Sequence, residues 1–248
     1  MNIVIFDTET TNLEKPFCYN IGYVIRNVEN GETLVKRDFV VEQIWHNLAL
    51  FSTAYYAEKR PLYVSAMRGR KTFMEKFGYI CQTMLRDFKA YEVAGAYAYN
   101  SPFDEKVINH NCDWFKCANP FDNISIFDIR GYVHEFIVDN DYKAFCEENG
   151  YFTEAGNYST TAENVYRFLV DNDFIEAHTA LADSEIEGDI LFECLARGAE
   201  INKDYAVKKS IWREVDKTLE IVDTDKVSHF FPYRSMIKRS GGSKIILR

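Results

Sequence analysis

Residues 2–6, Asn-Ile-Val-Ile-Phe, form a short apolar run rich in β-branched side chains, the pattern of a buried strand. Asp7 to Leu13 reads as a polar turn. Tyr19–Asn27 and Thr33–Val41 read as two further strands, and Asn30-Gly31 between them is a strong hairpin signal. The chain is therefore expected to open as an antiparallel three-strand meander. Gln43 to Leu85 is mostly helical in pattern with an interruption near Pro61. Phe73, Phe77, Ile80, Cys81, Met84, Leu85 and Phe88 recur there at helical spacing, as a face packed on a sheet would. Val93–Tyr99 is a small-residue strand, and a helix begins at Pro102–Asn109. Ile124–Phe127 is a strand and Ile129–Val138 a helix; residues 142–176 are helical in pieces, with Thr160 or Thr161 as a helix start. Asp183–Leu195 is a helix whose inner side carries Ile186, Ile190, Leu191, Cys194 and Leu195.

Strands first, then strands alternating with helices, predict an α/β fold with a mixed sheet covered by helices. The apolar periodicity fades after about residue 198. We expect one domain over residues 1–197 and a C-terminal extension over 198–248.

Composition narrows the class. Of 248 residues, 47% are hydrophobic and 27% charged, a globular rather than disordered balance. No apolar run reaches the roughly 18 residues of a membrane span. The first residues lack a basic segment followed by a long apolar one, so no signal peptide is expected. The six cysteines contain no C-x-x-C pair, which fits reduced thiols and a cytoplasmic setting. His110, Cys112 and Cys117 are close in sequence, but a fourth zinc ligand is not evident, and thiols also pack as small hydrophobes.

A net charge of −9 is not the footprint of a passive nucleic-acid binder. Basic residues are nonetheless clustered. Arg234, Lys238, Arg239, Lys244 and Arg248 close the chain without an acid, and Lys59, Arg60, Arg68, Arg70, Lys71 and Lys76 form a second stretch with Glu75 as the one acid. Such runs serve either as a solvated face or as a track for a phosphate backbone.

Three short segments carry candidate chemistry. Phe6-Asp7-Thr8-Glu9-Thr10 places two acids two apart at the end of a hydrophobic strand, on the same side of it. Acids so placed call for something cationic to satisfy them. Tyr99-Asn100-Ser101-Pro102-Phe103-Asp104 follows a strand and opens a helix; by itself it is an ordinary helix start. His178-Thr179-Ala180-Leu181-Ala182-Asp183 ends in a helix acid, and Glu187 repeats an acid one turn later on roughly the same face, which competes with Asp183 as the ligand.

Taken in order, the three segments resemble the DnaQ-like 3′→5′ exonuclease superfamily, the DEDD family in its histidine-bearing branch. That family carries D-x-E on its first strand, an N-x-x-F-D type motif at a central helix start and H-x-x-x-x-D near the domain end. Asp7 and Glu9, then Asn100, Phe103 and Asp104, then His178 and Asp183 match. The resemblance spans roughly residues 1–197 and implies a ribonuclease-H-like fold. It implies two divalent cations, Mg²⁺ or Mn²⁺, on Asp7, Glu9, Asp104 and Asp183, with His178 as general base. Thr10, Thr11, Leu13, Asn100 and Phe103 would meet the substrate. It implies attack on single-stranded 3′ ends releasing nucleoside 5′-monophosphates, with DNA as the first substrate and RNA, as in RNase T-like or oligoribonuclease-like enzymes, as the second. Replication or repair proteins are the expected partners. An inactive scaffold that binds nucleic acid or a polymerase is the reading from another class, opposed by the cost of keeping buried acids without ions. The segment Gln43–Lys71 is longer than a minimal domain of this kind needs.

Overall fold

In chain order the computed structural model contains β1 (Asn2–Thr10), β2 (Cys18–Asn27), β3 (Thr33–Val41), α1 (Glu42–Trp45), α2 (Leu48–Phe51), a 3₁₀ turn (Ala57–Lys59), α3 (Arg60–Arg68), β4 (Phe73–Glu75), α4 (Phe77–Ala90), β5 (Val93–Ala98), α5 (Ser101–Phe115), β6 (Ile126–Asp128), α6 (Arg130–Ile137), α7 (Asn140–Asn149), α8 (Ala162–Leu169) and α9 (Ala180–Ala196). The structure describes residues 1–175 and 177–201; the C-terminal extension beyond them, with the basic residues from Arg234 onward, lies outside the described residues.

The sheet has six strands in the order β4-β3-β2-β1-β5-β6. β2 pairs antiparallel with β1 and β3, while β1–β5, β5–β6 and β3–β4 are parallel. Helices cover both faces, which gives the expected α/β mixed sheet.

Alternation along β1 sorts its side chains between two cores. Val4 and Phe6 join the cluster that includes α4 and α5 residues such as Ile80, Met84, Val107 and Ile108. Ile3 and Ile5 join the opposite cluster with Val133, Val165, Ile190 and Leu191 from α6, α8 and α9. With period 2, Asp7 and Glu9 continue the Ile3–Ile5 side, toward α9, and Thr8 continues the side facing α5. Thr161 caps α8, its hydroxyl accepting from the Asn164 amide, one of the two expected starts.

Three expectations are corrected. The polar stretch from Asp7 is not a turn up to Leu13, because β1 keeps its pairing with β2 as far as Thr10. The helical reading of Gln43–Leu85 breaks into short helices, and Phe73 lies on the edge strand β4, half exposed, rather than on a helix face. A three-residue strand offers no alternation long enough to read. Pro61 sits in the first turn of α3, starting a helix rather than interrupting one, because its missing N–H costs nothing there. Among the described residues no helix is long and apolar enough to cross a membrane.

Candidate active site

The docking of α9 onto β2 builds the site. Gly22 pairs with Asp7 across the β1–β2 ladder. A Cβ on Gly22 would stand 2.1 Å from the amide nitrogen of Leu181, so only glycine lets the α9 backbone lie this close. The Ser184 hydroxyl donates to the Gly22 carbonyl at 3.0 Å. Asn20, fully buried on β2, fixes the helix start, its Oδ1 accepting from the Ala180 amide at 2.9 Å and from the Tyr63 hydroxyl at 3.0 Å. The Asn20 amide in turn donates to Asp38 at 2.6 Å and to the Phe39 carbonyl at 2.9 Å. The first turn of α9, which carries Asp183, is thereby held beside the strand position of Asp7.

Asp7, Glu9 and Asp183 converge, each offering a carboxylate oxygen, and these atoms lie within 4.8 Å of one another. Asp7 and Glu9 are half-buried and Asp183 is buried. Glu9 also accepts from the Tyr19 hydroxyl at 3.4 Å. Asp104 stands on the α5 side of the strand. Its Oδ1 accepts from both the amide (3.0 Å) and the hydroxyl (2.6 Å) of Thr8. Burial first, then the charge of Asp7, raise its pKa well above the carboxylate range. Asp104 is thus tied to the backbone between the two β1 acids, and it does not join the three-carboxylate cluster.

A fifth acid closes the site from behind. Glu187 is buried one turn after Asp183 and accepts from the Tyr99 amide at 3.0 Å. Burial, then the charges of Asp7 and Asp104, push its pKa well up. Its place on the Asp183 face was legible in the sequence; its grip on the end of β5 was not. So many acids in one partly buried place repel one another unless cations sit among them, and carboxylate oxygens are the donors that hard divalent cations take. The donor set fits Mg²⁺ or Mn²⁺.

His178 precedes α9 on a loop whose backbone turns left-handed there, with φ 51°, a conformation a non-glycine residue adopts only when its surroundings impose it. Residues from the long segment after β3 pack against it. The Tyr56 ring stacks on the imidazole, with centroids 4.7 Å apart and planes 14° off parallel. The Lys59 ammonium lies 4.4 Å over the Tyr56 ring and donates to the Ala177 carbonyl at 2.8 Å. Burial and then Lys59 lower the His178 pKa, with Glu163 pulling the other way, so the neutral imidazole is favoured. Sequence reasoning missed Tyr56 and Asn20 and placed Lys59 only in a basic run; the unusual length of the 43–71 segment was the signal that pointed to this region.

The expected substrate residues are placed unevenly. Leu13 is exposed at the turn after β1, its carbonyl accepting from Lys106 at 3.0 Å, and Thr10 sits at the end of the strand. Thr11 is fully buried and its amide donates to the Phe17 carbonyl at 3.0 Å, so that N–H is already taken. Asn100 is the left-handed, exposed residue before α5, its amide donating to Asp128 at 3.1 Å. Phe103 packs, partly buried, against the larger core cluster.

No family model matches the sequence, and no curated protein matches it. Solved structures do. The nuclease domain of 3′hExo, described as a DEDDh family member bound to rAMP, superposes with a TM-score of 0.57 at 16% identity, over 81% of this chain and 94% of that one. The chain has the fold of the DEDDh 3′ exonucleases. A full-length 3′-exonuclease superposes equally well, with a TM-score of 0.57 at 16% identity over 81% and 84%. An exonuclease I from Methylocaldum szegediense follows at 0.50 and 15% identity, covering 79% of this chain and 40% of that one. These likenesses establish the ribonuclease-H-like fold, and the site's own chemistry carries the argument for activity.

Proposed function

We propose that this chain is a 3′→5′ exonuclease that hydrolyses single-stranded DNA from its 3′ end with two divalent cations and releases nucleoside 5′-monophosphates. The convergence of Asp7, Glu9 and Asp183, with His178 five residues before Asp183 on the loop that enters α9, carries the reading. Asp7, Glu9 and Asp183 would hold the cations with Asp104 in support, and Mg²⁺ or Mn²⁺ so held would supply charge to neutralise the phosphate and to acidify a water. His178, kept neutral, takes the proton from that water, the work of a base with near-neutral pKa. Asp104, through Thr8, keeps the strand between Asp7 and Glu9 from shifting. Glu9 and Thr10 face the terminal sugar, and Leu13, exposed beside them, wedges against the last base. A 3′-phosphate would add charge next to Glu9 and block the end.

RNA is the second reading, favoured by the ribonucleotide in the 3′hExo structure. One experiment separates the readings: a labelled oligomer in DNA and RNA forms, each with a 3′-OH, a 3′-phosphate or as a covalent circle, incubated with and without Mn²⁺. Shortening of the 3′-OH forms alone, and only with Mn²⁺, is expected, with DNA the faster. Rapid loss of the circle would replace exonuclease by endonuclease, and no shortening of any form would leave a nucleic-acid-binding scaffold.

A further inference from the structure

A second cluster of ligating side chains lies at the other end of α5. Cys112 is eight residues beyond Asp104, about 12 Å along the helix axis at 1.5 Å per residue, so the cluster is separate from the carboxylates. Cys117 follows the helix, and Cys81 faces both from α4. The three sulfurs lie within 4.8 Å of one another, and those of Cys81 and Cys117 are 3.9 Å apart. The grouping of His110 with Cys112 and Cys117 suggested by sequence does not hold: His110 packs against Phe17 and Trp114, and the third sulfur comes from Cys81.

Packing asks only that a thiol be buried. It does not ask sulfurs to converge, and the other cysteines show what burial alone produces. Cys18 donates to the Asn20 carbonyl at 3.1 Å and Cys146 approaches the Ser159 carbonyl at 3.9 Å. Here three sulfurs, from α4, α5 and the turn that ends α5, face one another; that turn is an ordinary left-handed helix end, with Lys116 at φ 54° and the Cys117 amide returning to the Cys112 carbonyl at 3.1 Å. Thiolates bound to one ion at ~2.3 Å stand roughly 3.8–4.0 Å apart, so the observed spacing needs little adjustment.

We propose that Cys81, Cys112 and Cys117 bind a thiophilic d¹⁰ cation, Zn²⁺ or Cu⁺, as a clasp between α4 and α5. Thiolates select such soft ions, whereas the carboxylate site selects hard ones. Among the described residues no fourth histidine, cysteine or acid joins the group. Cu⁺ is content with three sulfurs, and Zn²⁺ would complete its shell with solvent on the half-exposed side of Cys117.

The test uses the full chain, reduced and stripped of metal, with Asp7→Asn in the background to weaken the carboxylate site. Co²⁺ serves as the spectroscopic stand-in for Zn²⁺, and Cu⁺ is titrated against a chromophoric chelator. We expect one equivalent bound, with a thiolate-to-metal charge-transfer band for Co²⁺ or tight competition for Cu⁺. The same ion should raise Tm in step with the logarithm of its concentration. Cys117→Ser, at the half-exposed position, should abolish both signals, and Cys146→Ser should keep them. If Cys117→Ser does not fold, native alkylation replaces it: the ion should shield the Cys117 thiol from modification. Absence of any thiolate band and of chelator competition, or a disulfide within the trio in unreduced protein that has no metal affinity once reduced, would overturn the proposal.

Discussion

The carboxylates and the histidine of the candidate active site are held by different kinds of structure. Asp7, Glu9, Asp104 and Asp183 stand on β1, α5 and α9, elements locked by ladder pairing, by Thr8 and by the close approach of α9 to Gly22. His178 stands on an irregular loop that packs against residues from a segment far away in sequence, the Tyr56 ring stacking on the imidazole and Lys59 bonding the Ala177 carbonyl 118 residues away. The contrast teaches that charge placement in this site is part of the fold itself, whereas the placement of the proposed base depends on side chains that reach its loop from another segment. Damage to the first should abolish activity; damage to the second should grade it.

The largest effects should come from the carboxylates. Asp7→Asn and Asp183→Asn should each remove nearly all Mn²⁺-dependent hydrolysis while leaving the circular dichroism unchanged, and near wild-type turnover in either would strike that residue from the ligand set. Relief of like-charge crowding should also raise the Tm of the metal-free Asp7→Asn protein. The same crowding sets a pH dependence. The pKa values of Asp104 and Glu187 are raised in the fold, by burial first and then by Asp7. Their contribution to stability is present below the ordinary carboxylate range and is lost as pH rises through the raised values. Metal-free protein should therefore gain Tm on mild acidification from neutral pH, and saturating Mn²⁺ should flatten that slope. A Tm that is insensitive to both would mean that the acids do not repel one another as argued.

The next effect is that of the base. His178→Ala should slow the chemical step by roughly two to four decades, with Mn²⁺ binding retained in calorimetry; lost binding would make His178 a ligand. Tyr56→Leu should be milder. A ring stack is worth about 0.5–1.5 kcal/mol, which bounds the loss near tenfold if all of it positions the imidazole. The loss should appear in kcat rather than KM, and Tyr56→Phe should restore it, since the stack needs the ring and not the hydroxyl. An unchanged kcat in Tyr56→Leu would mean that the loop holds His178 without help.

What the sequence disclosed follows the same division. Asp7 and Glu9 could be read as a same-side pair because they repeat with the period of the strand, and period survives without tertiary context; Asp183 by itself is an ordinary first-turn acid, and only the order of the three motifs singled it out. The meander, β5 and the inner face of α9 were legible for the same reason. Glu187 was visible as a second acid on the α9 face, but its contact with Tyr99 belongs to the closure of α9 over β5. Tyr56, Lys59 and Asn20 carry no periodic signal; they matter through contacts between segments far apart in sequence, as does Cys81 beside Cys112 and Cys117. β4 was lost because three edge residues hold no pattern, and Pro61 misled because the same residue that interrupts a helix interior opens a first turn.

The smallest expected effect tests the remaining contact in the histidine frame. Lys59 meets the loop in two ways, by its hydrogen bond to the Ala177 carbonyl and by its charge near His178. Burial is the larger cause of the lowered His178 pKa and Lys59 the second, so removing the lysine should raise that pKa without restoring the ordinary value. A general base works only when unprotonated, so its activity falls as pH drops through its pKa. In Lys59→Met the acid limb of the kcat profile should therefore move to higher pH, while the rate on the plateau above it changes little. High salt should move the wild-type limb upward by screening Lys59, and that upward move should be lost in the variant, where the remaining charge of Glu163 acts in the opposite direction. Lys59→Arg separates charge from hydrogen-bond geometry: it should keep the acid limb where the wild type has it. A limb that stays in place in Lys59→Met would show that the lysine holds the loop only through the Ala177 carbonyl, and would leave burial as the cause of the neutral imidazole.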